Sequence, residues 1–131
     1  MKIKQYSTST AGIYKENNII YCTVYSNDFI GLDEVEEIIE IFKAIMDGKE
    51  ILLFLDIRKI RHISIDAKYY LMRKENAVLF KAISVVAATP AAKSAVYSVL
   101  SYIEPMIHFK IFDPQNKKEA FNWLCKFAES S

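Results

Sequence analysis

Ile51-Leu52-Leu53-Phe54-Leu55-Asp56-Ile57 is an apolar run broken only by Asp56, with Lys49 and Glu50 before it and Arg58 and Lys59 after it. A strand with one wet face alternates apolar and polar residues, whereas this run is apolar at almost every position. It therefore predicts a strand covered on both faces, in the middle of a sheet with helices on either side. Residues 82–88 read the same way, as a second buried strand that ends at Thr89-Pro90.

Outward from these two strands, the elements alternate. Upstream, Leu32, Val35, Ile38, Ile39, Phe42, Ile45 and Met46 recur at steps of three and four and share one helical stripe. Acids crowd the first two turns of that helix, where they complement its dipole. Gly48 closes it, and Asp33 with Glu36 suits a capping-box variant. Before it, two β-prone runs between Ile13 and Tyr25 flank Asn17-Asn18, a pair that tolerates positive φ and so suits a hairpin turn.

Downstream, Ser64 and Asp66 offer an N-cap and a first-turn acid for a second helix reaching about Phe80. Thr89 as cap and Pro90 at the first helical position start a third, through about Ile103. Ile107, Phe109 and Ile111 alternate with His108 and Lys110, which predicts a one-sided, peripheral strand. Asp113-Pro114 starts a last helix that turns Ala120, Trp123, Leu124 and Phe127 inward. The fold class expected is α/β: a mixed sheet of about five strands with four helices, an N-terminal hairpin followed by β-α units, with room for one extra N-terminal strand.

The chain has 131 residues, 52% of them hydrophobic and 25% charged, which suits one domain and lies far from the composition of disorder. No linker or repeat interrupts it, so residues 1–131 are expected to form a single domain. Its opening lacks the apolar core of a secretory signal, and no apolar run approaches the roughly 20 residues of a membrane span. The expectation is a cytoplasmic protein with no membrane insertion. Cys22 and Cys125 lie too far apart in sequence for a C-x-x-C pair and read as reduced thiols.

The net charge of +1 conceals an uneven distribution. Residues 31–50 carry seven acids against Lys43 and Lys49, a balance of −5, and residues 58–81 carry seven bases against Asp66 and Glu75, a balance of +5. Complementary segments of this kind, with the small residues along 91–103, predict a weak homodimer. A near-neutral chain lacks the broad basic footprint of a nucleic-acid binder, so none is expected as a partner.

Catalytic patterns are missing. There is no G-x-S-x-G elbow, Walker loop or G-x-G-x-x-G turn, and the three glycines stand singly. No enzyme activity, cofactor or metal is expected. Asp56 at a strand end and Asp66 at a helix start could pair as carboxylates, but Asp56 is better read as tied to backbone amides of the following turn. The candidate partner- or anion-binding residues are Arg58, Arg61, His62, Ser64 and Asp66, the most concentrated positive segment together with the helix start beside it. A solvated loop is the alternative reading. Under the third helix, an apolar ligand cavity is a second possibility.

The strand Ile51 to Asp56, the Asp56-Ile57-Arg58 step after it, the cap at Ser64 and the closing Ala120-Phe121-Asn122-Trp123-Leu124 together resemble the STAS family, the sulphate-transporter and anti-sigma-factor-antagonist domains, in its small bacterial stand-alone form. The resemblance runs from the hairpin to Leu124. It implies a mixed sheet wound with helices, no cofactor, and a regulatory role in binding another protein. Phospho-regulated members carry Asp followed by Ser or Thr at the start of the helix after the central strand. Here Ser64 stands where that Asp falls, and Ile65 and Asp66 take the hydroxyl positions, so a phosphorylation switch is not expected. Small STAS-like domains also resemble CRAL-TRIO lipid-transfer proteins, which implies a small apolar or anionic ligand as the alternative.

Overall fold

The computed structural model describes residues 4–25, 29–57 and 60–128. Its main sheet has six strands in the order β1 (Gln5–Ser7), β2 (Ala11–Glu16), β3 (Ile19–Val24), β5 (Ile51–Ile57), β7 (Phe80–Ala87) and β8 (His108–Phe112). The first three are antiparallel and the last four parallel. β5 therefore lies in the interior of the sheet, as its apolar run requires. Two further strands, β4 (Phe29–Ile30) and β6 (His62–Ile63), pair with each other as a small parallel ribbon.

The sheet gains its parallel strands in one direction, β3 to β5 to β7 to β8. Crossovers of one hand added in one direction fall on one face. Helices α1 (Leu32–Met46), α2 (Ile65–Met72), the short α3 (Lys74–Ala77) and α4 (Pro90–Ile103) make those crossovers, and α1 and α4 bury their apolar sides with Cys22, Leu53, Ile57, Ile83 and Val85. Helix α5 (Lys117–Ala128) returns after the edge strand and covers the opposite face, where Leu52, Phe54, Ala82 and Val86 meet Ala120 and Leu124. Successive residues of β5 thus feed two separate cores. Ser84, fully buried on the α5 side, donates its hydroxyl to the Ala120 carbonyl at 2.9 Å and keeps that core free of an unmatched polar group.

The hairpin turn holds Asn17 and Asn18 at φ of 54° and 66°, the left-handed pair that a tight turn between twisted strands needs. Thr89 caps α4 by accepting the Ala92 amide at 3.1 Å, with Pro90 next.

Strand β1 is the extra N-terminal strand that the sequence left room for. Details differ elsewhere: the ribbon is added, and α-helices number five rather than four among the described residues. Helix α1 starts from Gly31, whose amide donates to the Glu34 carboxylate at 3.1 Å, so the pair Asp33 and Glu36 has no capping role. The second helix stops at Met72 rather than near Phe80. Arg73 turns extended, and the side-chain Nδ2 of buried Asn76 donates to the Tyr70 carbonyl at 2.6 Å, drawing the chain into a separate turn. Strand β7 accordingly begins at Phe80, two residues before the expected Ala82.

Candidate functional site

Beyond the C-terminal ends of β3 and β5, the parallel edge of an α/β sheet, the chain builds the ribbon and α2. In the ribbon Phe29 pairs with His62 and Ile30 with Ile63. Alternation turns Ile30 and Ile63 toward the core while Phe29 and His62 are exposed. The Ser64 amide donates to the Ile30 carbonyl at 3.0 Å, which continues the ribbon into the start of α2.

Ser64 is the N-cap there. Its hydroxyl oxygen accepts the Ala67 amide at 3.2 Å and its proton goes to Asp66, whose Oδ1 also accepts the Ala67 amide at 2.9 Å. Ser64 and Asp66 thus satisfy each other and the helix end. Arg61 and His62 are exposed and make no ion pair or side-chain hydrogen bond among the described residues. Arg58 lies outside the described residues. Among the described residues, the fold gathers Arg61, His62, Ser64 and Asp66 at one end of α2 but joins only Ser64 to Asp66.

Asp56 goes elsewhere. It is on the α5 side of β5, and its Oδ2 accepts from Lys117 Nζ at 3.1 Å, a tie between strand and helix; the turn at residues 58–59, whose amides are its expected partners, lies outside the described residues. With Asp66 on a helix of the other face, the two do not form a carboxylate pair. No group of three or more His, Cys, Asp or Glu fit to hold a metal occurs among the described residues.

Helix α2 is unusual in what it leaves outside. Only Ala67 is buried, whereas Ile65 is 71% exposed and Tyr69, one turn on, 66% exposed. Such pairing of large apolar side chains on one helical face is a surface that ordinary solubility does not need.

Beneath α2, α1 and α4 lies a cavity of about 130 Å³. Its walls are the side chains of Leu53 and Ile57 from the sheet, Ile39 from α1, Val99 from α4 and Ile60 and Ile63 at the ribbon end, with other aliphatic residues and Phe42 and Phe80 between. Among the described residues Cys22 is the one side chain in the wall that is not hydrocarbon, and burial pushes its thiol up to about 12, so it stays protonated. Sixteen of the nineteen lining residues are buried; Leu55, Ile63 and Leu71 are half-buried and mark the side toward α2. The small residues of α4 contribute less than their number suggests, because Ala92 and Ala95 are buried while Ala91, Ser94 and Ser98 are exposed. Val96, Val99, Leu100 and Ile103 form the α4 wall instead.

On the other face, a shallow cleft joins Tyr14, Tyr21 and Phe121 to the Asp56–Lys117 pair, with the tyrosine rings stacked at 4.8 Å. Its components are far apart in sequence, so no local pattern announces it.

These features define an α/β domain of the SpoIIAA-like kind. An uncharacterized protein of the DUF3478 family from Shewanella loihica PV-4, described as having a SpoIIAA-like fold, superimposes with a TM-score of 0.61 over 95% of this chain and 93% of its own, at 16% identity. That identity carries the fold alone. Residues 13–128 match the family called Domain of unknown function (DUF7793), and the chain belongs to it. No curated protein matches the sequence. The resemblance to STAS domains therefore holds at the level of the fold, while the family itself is DUF7793 rather than a named STAS family. No described helix is long and apolar enough to cross a membrane.

Proposed function

We propose that the chain acts as a single non-enzymatic interaction module that meets a protein partner through the outer face of α2 and the ribbon beside it. The observation that carries this reading is the exposure of Ile65 and Tyr69 on one face of α2, with Arg61 and His62 exposed just before the helix start. Large aromatic and aliphatic anchors ringed by charge are the usual centre of a protein interface. The partner that fits offers an apolar pocket with carboxylates at its rim, which Arg61 would meet. Ser64 supports the site by fixing the start of α2 rather than by carrying phosphate, since its hydroxyl is already engaged on both sides.

Photocrosslinking from position 69 in the native cells tests this, with the crosslinker at Tyr102, on α4 and 69% exposed, as the control. One protein captured from position 69 and not from position 102, whose purified form loses affinity for Ile65→Asp, is the expected result. Equal capture from both positions, or unchanged affinity of Ile65→Asp, removes the proposal.

A further inference from the structure

We infer that the cavity between the sheet and helices α1, α2 and α4 is a binding site for a neutral, apolar molecule about the size of benzene. This goes beyond the partner surface, which lies on the outside of α2, and stands or falls separately from it.

Protein interiors are packed nearly as densely as organic crystals, and voids larger than a water molecule are few. A volume of about 130 Å³ in a chain this short is therefore a feature to be explained. Water does not explain it: a buried water needs two to four polar partners, and the described residues of the wall are aliphatic and aromatic apart from the Cys22 thiol. Apolar cavities of about 150 Å³ stay dry and take up benzene or xenon. A wall that water does not wet lacks partner atoms on one side, and a hydrocarbon guest supplies those contacts.

The wall also states what is refused. A carboxylate or ammonium would lose its hydration and find, among the described residues of the wall, no charged or strongly hydrogen-bonding side chain in exchange. The thiol, held protonated by burial, tolerates an uncharged neighbour. Access falls where the wall is least buried, at Leu55, Ile63 and Leu71, under a helix held by one fully buried residue. A guest therefore enters by displacement of α2, without any break in the sheet.

The test is titration of the methyl-labelled protein with benzene, read by methyl NMR, with benzoate as the charged comparator. Saturable shifts confined to methyls of the cavity wall, such as those of Ile39, Leu53 and Val99, are expected with benzene and not with benzoate. Val99→Phe fills the space and should abolish the response while the protein still melts cooperatively. Leu53→Ala enlarges the space and should admit n-butylbenzene, which the natural chain takes poorly; this arm decides if Val99→Phe fails to fold. Absence of saturable shifts, equal response to benzoate, shifts that persist in folded Val99→Phe, or no gain for n-butylbenzene in Leu53→Ala would each overturn the assignment.

Discussion

Ser64 shows how much one polar side chain does locally. Its hydroxyl receives the Ala67 amide, but Asp66 receives that same amide, so the cap is duplicated. Ser64→Ala should therefore cost about 0.5 to 1 kcal/mol in urea unfolding, at the lower side of the usual loss for a cap. Ser64→Asp, which also caps, should be nearly as stable as the natural chain, and intact mass of protein from its own cells should show no phosphate there. Cys22 gives a second measurement. Its thiol titrates near 9.0 when unfolded and at about 12 when buried. Below pH 9 both states hold the proton and the burial of the neutral thiol contributes fully. Between 9 and about 12 only the unfolded chain ionises, so stability falls as pH rises through that window. The stability advantage over Cys22→Val should shrink there, and near neutrality Cys22 should react with a thiol reagent more slowly than half-buried Cys125. The cap at Ser64 was readable because its partners lie within three residues. The partner of Asp56 was not, because Lys117 is 61 residues away and only the fold brings it near.

The strand β5 makes the strongest claim at the level of elements. Leu53 faces the core under α1 and α4, Phe54 the core under α5, and each is 4% exposed. Leu53→Asp and Phe54→Asp should each prevent soluble folding, since either leaves an unpaired charge in a different core. Soluble, cooperatively melting protein from one of them would show that its face is not sealed. β5 and β7 were legible in the sequence as unbroken apolar runs, α1 because it is long enough to display its period, and α4 because Thr89 and Pro90 mark its start. The ribbon was not, since two-residue strands such as Phe29–Ile30 and His62–Ile63 have no period to display. The early end of α2 was missed for a related reason: the signal is one buried side chain, Asn76, competing for a carbonyl, while the composition up to Phe80 stays compatible with helix. A helix whose only fully buried residue is Ala67 also opens more readily than its neighbours. Amides of α2 should exchange with deuterium faster than those of α1 and α4; equal protection in all three would deny α2 the mobility that entry to the cavity needs.

At the scale of the molecule, the acidic segment 31–50 and the basic segment 58–81 are brought together, because α1 and α2 pack against each other on one face of the sheet. Among the described residues no ion pair joins them; the ion pairs are Lys43–Glu40, Lys93–Asp113 and Lys117–Asp56. The two fields therefore stand side by side and largely unspent. A two-fold axis suits such an arrangement, since it can set each patch of one copy against the opposite patch of the other. The expected outcome is a weak homodimer whose association is steered by charge more than held by it. Screening separates this from an apolar dimer: the Debye length shrinks from about 30 Å at 0.01 M salt to about 3 Å at 1 M. Sedimentation velocity at high protein concentration should show dimer at low salt and monomer at high salt. A partner that seats on Ile65 and Tyr69 would then compete with the second copy for the neighbourhood of α2, and adding it should release monomer even at low salt. Monomer under all conditions would remove the dimer and leave the partner surface standing, whereas a dimer that strengthens with salt would place the contact on apolar residues such as Tyr97 and Tyr102 of α4, both more than half exposed.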